Sequence, residues 1–183
     1  MKLVVLAGPA GVGKGSLVKW ILANSPDFML SVSATTRKPR QGEVDGVHYH
    51  FVSKDEFVTG IENGEFLEWA QVHNDNYYGT PTNELTRATS ENKNLLLEID
   101  LQGARQIRES HPEALQIFIS PPSWDILVDR LRNRGTETES EIATRLLTAR
   151  TELDAKNEFD FELVNDDLAE CAQEIIRIVK EAQ

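Results

Sequence analysis

The distribution of apolar positions predicts strands and helices that alternate along the chain. Short apolar runs closed by glycine, proline or polar residues are typical of buried strands. Such runs fall at residues 3–6, 28–33, 94–100, 115–120 and 161–165. The third run is almost continuously apolar and ends in two carboxylates, which is typical of a central parallel strand.

The segments between these runs have apolar residues three or four positions apart, which is the spacing of one helical face. The first and last of these faces consist of Leu17, Val18, Ile21 and Leu22, and of Leu168, Ala172, Ile175, Ile176 and Val179. Two more helices are predicted at residues 123–133 and 141–153. The alternation predicts a single α/β domain with a parallel core sheet.

The segment from residue 47 to residue 81 is less regular. Alternating apolar residues predict strands at 47–52 and 66–73. Between them, Ser53 and Glu56 have the spacing of a capping box, which predicts a helix start. Residues 76–81 read as a turn that enters a helix, with Thr80 as the N-cap and Pro81 as the first helical residue.

A glycine-rich turn joins the first strand to the first helix. It has the G-x-x-x-x-G-K pattern of a phosphate-binding P-loop, and it consists of Gly8, Pro9, Ala10, Gly11, Val12, Gly13, Lys14, Gly15 and Ser16. Glycines let backbone N–H groups converge on phosphate oxygens, and the lysine adds a mobile cation. A plain strand-to-helix turn is the alternative, but the lysine and the flanking pattern favour a nucleotide-phosphate site.

The turn departs from the P-loop pattern after the lysine. Gly15 stands where the pattern has Ser or Thr, whose hydroxyl contacts Mg²⁺. Ser16, one position later, or a water molecule is then expected to provide that oxygen.

Composition and charge limit the possible partners. The 183 residues carry a formal net charge of −11, which argues against nucleic acid and anionic membranes as partners. No apolar run reaches the length of a membrane span, and no secretory leader is visible after Met1. The lone cysteine, Cys171, fits a reducing compartment and is expected to be a small core residue rather than a reactive thiol. We therefore expect a cytoplasmic protein.

A phosphate site in such an acidic chain requires local positive charge. Residues 33–43 form a polar loop with Arg37, Lys38 and Arg40, whose sign opposes that of the whole chain. Arginines near a P-loop can bind phosphate oxygens bidentately, whereas a solvated basic turn is the alternative. The helical hairpin 123–153 also contains several arginines and is either a lid over a triphosphate or an exposed surface.

Two acidic residues are also candidates for the site. Glu68 shares a strand face with Phe66 and Ala70, which is costly without a partner, unless the strand lies at an edge and exposes it. Asp100 follows a central strand, where open α/β sheets bind ligands, and could hold a metal or its waters. It could equally be a simple helix N-cap.

A P-loop alone does not distinguish a GTPase from an ATPase or a small-molecule kinase. Residues 100–103 match the D-x-x-G of GTPases, but the guanine-binding N-K-x-D is missing because residues 92–95 lack the aspartate. A GTPase is therefore disfavoured.

Seven segments in order along the chain resemble the guanylate kinase family. They are residues 31–37, 42–43, 49–51, 65–70, 77–80, 98–103 and 134–138. The resemblance covers essentially the whole chain, and together these segments are far more specific than the P-loop. It implies a three-layer P-loop kinase fold with a core (about 1–31, 84–124 and 154–183), a GMP-binding subdomain (about 32–83) and a helical lid (about 125–153).

The resemblance also implies ATP-dependent conversion of GMP to GDP with Mg²⁺. The residues that would hold the GMP phosphate are Arg37, Arg40, Tyr49 and Tyr78. Guanine would be recognised by Ser33, Glu68 and Thr80, in a pocket lined by Glu98, Asp100 and Gly103. The transferred phosphoryl group would be surrounded by Lys14, Arg134 and Arg145, with Asp100 and Ser16 as candidate metal-site residues and Asn165 near the ATP base.

Hydrogen-bond chemistry is consistent with this assignment. A carboxylate at Glu68 can accept from the N1–H and the amine of guanine, and the hydroxyls of Ser33 and Thr80 could donate to O6. Two departures from the family pattern remain, since Ala10 stands where serine is more common and Glu98 stands where aspartate also occurs.

Two other functions remain open at this stage. The first is a guanylate-kinase-like protein-binding module, which usually lacks an intact P-loop. The second is a kinase for another nucleoside monophosphate, for which the identity of residue 68 is decisive. The sequence does not indicate whether the protein is a monomer or a homo-oligomer.

Overall fold

The computed structural model describes residues 1–72, 75–133 and 138–182. The strands are β1 (Leu3–Ala7), β2 (Phe28–Leu30), β3 (Ala34–Thr35), β4 (His50–Phe51), β5 (Phe66–Val72), β6 (Asn76–Pro81), β7 (Asn94–Glu98), β8 (Leu115–Ser120) and β9 (Phe161–Val164). The helices are α1 (Lys14–Asn24), α2 (Lys54–Glu62), α3 (Asn83–Ser90), α4 (Leu101–Ser110), α5 (Trp124–Arg132), α6 (Glu139–Asp154) and α7 (Leu168–Glu181).

Within the described residues, five parallel strands form the core sheet in the order β2-β7-β1-β8-β9. The central strand β1 is buried along its whole length. Leu6 of β1 pairs with Glu98 of β7. The carboxyl ends of the central strands therefore meet where the glycine-rich turn begins, which is the edge at which open α/β sheets bind ligands.

Helices cover both faces of the core sheet. On one face, Val4 and Leu6 of β1 pack in a buried cluster with α1 and α7. On the other face, Val5 of β1 packs in a cluster with Ala88 of α3 and Ile107 of α4. The alternation of side chains along a strand sends neighbouring residues to opposite layers. The result is the predicted α/β fold of three layers.

The second sheet contains β4, β3, β6 and β5 in that order, as far as the described residues show. Strand β3 pairs in parallel with β4 and antiparallel with β6, which in turn pairs antiparallel with β5. All of these strands lie between β2 and α3 in sequence. Within the described chain, this sheet joins the core through residues 31–33 and 82–83.

Helices α5 and α6 pack on each other and on the glycine-rich turn. Leu127, Leu131 and Ala149 form a small buried cluster against which Ala10 packs. A side chain on Gly11 would have its Cβ 2.8 Å from Leu131 Cδ2, so the turn and the hairpin are in direct contact. Ala10, where the family more often has serine, thus contributes an apolar contact to the hairpin.

The prediction of a helix start at Thr80 was wrong. Residues 76–81 form β6, and α3 begins at Asn83 with Thr82 as its N-cap. A Thr-Pro pair favours a helix N-terminus locally, but pairing with β5 places Thr80 in a strand opposite Glu68. Tertiary contacts here override the local preference.

Other predicted elements are shorter, or more exposed, than expected. The expected strand at 28–33 ends at Leu30, and of the expected strand at 47–52 the structure has a strand at His50–Phe51, with Tyr49 in an isolated bridge to Asp45. Leu22 and Leu168, placed on apolar helical faces, are each 37% exposed. By contrast, the capping box at Ser53 and the burial of Cys171 are confirmed.

None of the helices in the described parts of the chain is both long and apolar enough to cross a membrane.

Candidate active site

The glycine-rich turn adopts a conformation that side chains would block. Gly8 has φ +142°, and a Cβ there would lie 2.3 Å from the carbonyl oxygen of Ile119. Gly13, the N-cap of α1, has φ +100°, and a Cβ there would lie 2.5 Å from Nδ2 of Asn165. These positions require glycine. The turn thereby brings its backbone against β8 and leads directly into the N-terminus of α1, which favours anions.

Lys14 begins α1 and folds back over the turn. Its ammonium group donates hydrogen bonds to the carbonyl oxygens of Gly8 at 2.6 Å and Pro9 at 3.3 Å. Because these acceptors belong to the turn itself, the ammonium lies where it can reach a phosphate bound there.

Asn165 and Arg130 support the turn from behind. Asn165 is buried, and its amide donates to the carbonyl of Val12 at 2.7 Å. Arg130 of α5 donates to the same carbonyl at 3.3 Å and to the Asn165 carbonyl at 3.1 Å. Asn165 therefore contacts the phosphate-binding turn, and Arg130, which we did not predict as a site residue, joins the hairpin to it.

The side chain of Glu98 lies beside the position where the P-loop pattern is broken. A Cβ at Gly15 would lie 3.7 Å and 3.8 Å from the carboxylate oxygens of Glu98. The P-loop pattern has a hydroxyl side chain at position 15, and this chain has glycine there instead, close to the carboxylate of Glu98. Ser16 is exposed and does not line the cavity described next.

A cavity of about 750 Å³ lies between the glycine-rich turn, the second sheet and α6. The predicted site residues that line it are Gly8, Ala10, Lys14, Ser33, Arg37, Arg40, Tyr49, Glu68, Tyr78, Glu98, Asp100 and Arg145. These residues come from segments far apart in sequence. The fold thus brings four cations of an acidic chain, together with several carboxylates, around one cavity.

Glu43 contacts two residues that line the cavity, Arg37 and Arg40, and organises the basic loop. Its carboxylate accepts from Arg37 Nη1 at 2.6 Å, from Arg37 Nη2 at 2.7 Å and from the backbone N–H of Arg40 at 2.6 Å. The guanidinium of Arg37 lies over the ring of Tyr49, 5.0 Å from its centroid. These bonds lower the pKa of Glu43 to about 2, so the pair stays ionised at neutral pH.

Arg37 retains a second edge, formed by Nε and Nη2, besides the edge that Glu43 occupies. The hydrogen bonds with Glu43 raise the pKa of Arg37, burial opposes that rise, and the nearby Tyr78 hydroxyl adds to it. A planar guanidinium can bind a phosphate through such an edge. This arrangement would allow the loop to bind an anion.

Glu68 also lines the cavity, and it is buried on β5 with 5% of its surface exposed. Its Oε1 accepts from the hydroxyl of Thr80 on the paired strand at 2.7 Å. Gly103 allows the approach of the other oxygen, since a Cβ there would lie 2.6 Å from Glu68 Oε2. In the described residues β5 is an edge strand of its sheet, as the alternative supposed, but Glu68 is buried and does not face solvent.

The environment of Glu68 disfavours its charge. Burial raises its pKa to about 7, and the nearby charge of Asp100 acts in the same direction, whereas the hydrogen bond from Thr80 lowers it. A buried carboxylate with one internal partner and a cavity in front of it is suited to accept hydrogen bonds from a ligand. Because the Thr80 hydroxyl has a single hydrogen, which goes to Glu68, our expectation that it donates to O6 does not hold in this state.

Asp100 is the N-cap of α4 and also lines the cavity. Its Oδ1 accepts from the N–H of Gly103 at 2.8 Å. The capping interpretation is therefore correct, and it leaves the second carboxylate oxygen for other interactions. Capping and ligand binding are compatible here.

Helix α6 contributes a face that the sequence interpretation only partly identified. Besides Arg145, the residues of α6 that line the cavity are Ser140, Glu141, Thr144, Thr148 and Glu152. Burial raises the pKa of Glu152 to about 7, while the charge of Lys14 opposes that rise. Helical spacing from Arg145 could have identified Glu141, Thr148 and Glu152, because positions three, four and seven apart share a face.

Comparison with known proteins places the chain in a family. A family model described as guanylate kinase matches residues 1–182. The chain is 50% identical over 179 residues to the guanylate kinase of Rhodococcus jostii. The match covers 97% of this chain and 86% of that protein. The chain belongs to the guanylate kinase family.

A further family member and a solved structure agree with this assignment. The guanylate kinase of Synechocystis sp. is 48% identical over 182 residues, covering 100% of this chain and 95% of that protein. The crystal structure of guanylate kinase from Anaplasma phagocytophilum matches with a TM-score of 0.77 at 33% identity, over 100% of this chain and 86% of that one.

Some predicted residues of the guanylate kinase site do not line the cavity. Thr80 and Gly103 contact Glu68 instead, Asn165 contacts the glycine-rich turn, and Ser16 faces solvent. Arg134 lies outside the described residues. The residues that we did not predict include Glu43, whose segment matched the family pattern but whose contact with Arg37 requires the folded loop.

Proposed function

We propose that the protein transfers the γ-phosphoryl group of ATP to GMP, giving ADP and GDP. The observation that carries this proposal is Glu68, a buried carboxylate in the same cavity as Lys14 and Arg37. A purine and two phosphate-binding regions are what a nucleoside monophosphate kinase must hold together. Membership of the guanylate kinase family supports the same reaction.

In this proposal, GMP lies across the second sheet. Its phosphate binds Arg37 and Arg40, which Glu43 holds in place, and the hydroxyls of Tyr49 and Tyr78 complete that end of the cavity. Its base reaches Glu68, with the hydroxyl of Ser33 facing O6. Thr80 orients the carboxylate rather than the base.

ATP would occupy the glycine-rich turn, with its γ-phosphate toward GMP. Phosphoryl transfer requires in-line positioning and compensation of the charge on the moving group, and little covalent chemistry. Lys14 and Arg145 line the cavity between the two substrates and would supply this compensation, together with Arg134. No covalent enzyme intermediate is needed.

The described architecture supports a division into three functional parts. The core would comprise residues 1–31, 84–124 and 154–183, the GMP-binding subdomain 32–83 and the lid 125–153. The strands of the second sheet fall within 34–81, and α5 and α6 fall within the lid except for one terminal residue each. Movement of the two smaller parts over the core would exclude water, which would otherwise hydrolyse ATP.

The chemistry of Asp100 fits Mg²⁺ bound with ATP. Mg²⁺ prefers oxygen ligands and keeps several of its waters. Asp100 has one carboxylate oxygen occupied by the N–H of Gly103 and lines the cavity beside Lys14, so it would hold such an ion through water. When bound, the ion would neutralise charge on the ATP phosphates. The lone cysteine supports a cytoplasmic location, where these nucleotides are available.

We expect Asp100→Asn to lower turnover by about 10- to 100-fold, the usual cost of changing a residue that orients a metal site. The affinity for GMP should change less. Asparagine remains a good helix cap, so the fold should be retained. The measurement is turnover against Mg²⁺ concentration. Asp167→Asn is the matched control, because Asp167 caps α7 in the same way by accepting from Glu170 N–H at 2.9 Å. An unchanged Mg²⁺ requirement with unchanged turnover would refute the role.

The reaction itself is tested by ADP release with GMP, AMP, UMP and dTMP as acceptors. We expect GMP to exceed AMP in kcat/KM by roughly 10⁴, the discrimination that a buried hydrogen-bonding site achieves. Turnover with none of the acceptors would indicate a binding module instead. Preference for another monophosphate would reassign the base-binding end.

A further inference from the structure

Glu84 is a buried carboxylate at the junction of the two sheets, and the proposed reaction does not use it. It lies in the first turn of α3 with 4% of its surface exposed. Its Oε2 accepts from the backbone N–H of Val32 at 2.8 Å and from Arg87 Nη2 at 2.5 Å. Burying a carboxylate is costly, so these bonds must compensate for its lost hydration.

The bond to Val32 lies where the chain crosses from one sheet to the other. The N–H of Ser31 donates to the carbonyl of Leu96 in the core sheet at 2.9 Å. Two residues later, the carbonyl of Ser33 accepts from the N–H of His50 in the second sheet at 2.9 Å. Between them, Val32 donates to Glu84. Three successive residues therefore bond first to the core sheet, then to Glu84 and then to the second sheet. Glu84 holds the middle residue of this crossing.

Glu84 also lies at the other crossing. Helix α3 begins one residue after β6 ends, and Glu84 is four residues beyond Thr80. The guanidinium of Arg87, on the same helix, donates to the carbonyl of Leu30 at the end of β2 at 2.9 Å. Entry and exit segments of the second sheet are therefore tied together by one carboxylate and one guanidinium.

We propose that Glu84 is a positioning residue that sets Ser33 and Thr80 side by side for guanine binding. Ser33 follows the amide that Glu84 holds, and Thr80 precedes the helix that carries Glu84. Thr80 in turn holds Glu68. Loosening the crossing would shift the base-binding end of the cavity and leave the glycine-rich turn unchanged. This inference rests on the proposed function for its consequence, although the junction itself does not.

The test compares three substitutions that separate the length of the side chain at residue 84 from its charge. Glu84→Ala removes both. Glu84→Asp keeps the charge for Arg87 but is one methylene too short to hold Val32. Glu84→Gln keeps an acceptor of the same length. We expect Ala and Asp to raise KM for GMP about tenfold, the effect of one lost buried hydrogen bond, and to leave KM for ATP within about twofold. The Gln variant should stay within about threefold of the parent for GMP.

The control and a second readout separate positioning from general destabilisation. Glu174 and Arg177 form a pair with the same spacing on the exposed side of α7, so Glu174→Ala should change neither KM. Hydrogen exchange without substrates should accelerate at residues 31–34 in the Ala and Asp variants and not in the Gln variant. If Glu84→Ala does not fold, Glu84→Asp decides the question.

Three results would overturn the inference. They are an unchanged KM for GMP in Glu84→Asp, a parallel rise in both KM values, and unaltered exchange at residues 31–34. If the parent enzyme did not use GMP at all, the proposed function would fail. The exchange experiment would then still show whether Glu84 holds the crossing.

Discussion

Lys14→Met is expected to abolish GMP phosphorylation while leaving the fold intact. Lys14 lies over the glycine-rich turn and lines the cavity between the proposed substrates, where negative charge moves during transfer. Removing one preorganised charge at such a point costs about 10²–10³ in turnover, and a full positive charge should cost at least as much. Its bonds to the carbonyls of Gly8 and Pro9 lie at a partly exposed site, so their loss should alter stability little.

The experiment measures turnover and thermal unfolding by circular dichroism on the same preparations. Lys19→Met is the matched control, because Lys19 is exposed on the same helix. We expect the control to retain parental turnover, and both variants to unfold close to the parental temperature. Activity of Lys14→Met within tenfold of the parent would contradict the assigned role.

The parts of the fold that the sequence predicted well depend on contacts between near neighbours. The strand, glycine-rich turn and helix at residues 3–24 could be recognised because each signal lies within a few positions of the next. The central strand 94–98 was equally clear, since burial on both faces favours the unbroken apolar run between Asn94 and Glu98. Together they predicted the position of a phosphate site without any knowledge of the rest.

Thr80 shows where local interpretation failed. The sequence before Asn83 satisfies the rules for a helix N-terminus, and nothing within that segment reveals that it pairs with residues 66–72. The error matters for function, because the Thr80 hydroxyl holds Glu68 and not a helix. A strand with a distant partner can be assigned only when the partner is known.

Contacts between side chains in loops could not be predicted either. Glu43 is six positions from Arg37, and their bidentate pair exists only because the loop folds back over Tyr49. The charge pattern of residues 33–43 suggested a cluster of cations that could bind phosphate. It did not indicate that an acidic residue within the cluster would orient the arginine. Residues at helical spacing, such as Arg145 and Glu152, were within reach of sequence reasoning.

The second large effect is expected from Glu68→Gln, which should remove most of the preference for GMP over AMP. One ionised carboxylate can accept from both N1–H and the amine of guanine, whereas adenine has a lone pair at N1 and no amine at C2. Sites built on buried hydrogen bonds reject an analogue that lacks them by roughly 10⁴. Glutamine offers one acceptor and a misplaced donor, so kcat/KM for GMP should fall about 10²-fold or more. ATP binding should be little affected.

The measurement is kcat/KM for GMP and for AMP in the parent and the variant. Glu65→Gln is the control, since Glu65 lies three positions away and faces solvent. If Glu68→Gln leaves the ratio of kcat/KM for GMP to kcat/KM for AMP unchanged, guanine is recognised elsewhere.

The thermal stability of Glu68→Gln shows whether a loss of activity comes from the lost guanine contact or from unfolding of the variant. Burial raises the pKa of Glu68 from 4.5 to about 7. Between these pH values the folded protein keeps a proton that the unfolded chain has released, so the free energy of unfolding falls as pH rises from 4.5 to about 7. A neutral glutamine avoids this loss, and the variant should unfold at a higher temperature than the parent at pH 8.

The same pKa predicts how GMP binding by the parent depends on pH. Below pH 7 the carboxyl group of free Glu68 is largely protonated, and the acid form cannot accept from both guanine donors. Binding must then release a proton, so the dissociation constant for GMP should rise as pH falls, approaching about tenfold per pH unit below pH 7. The phosphate of GMP also titrates near pH 6, and Glu68→Gln isolates that contribution because its residue 68 cannot ionise. Calorimetry in buffers of different ionisation enthalpy counts the released protons directly. Equal proton release by parent and variant at pH 6.5 would show that the phosphate alone causes the dependence and that Glu68 does not bind guanine as an ion.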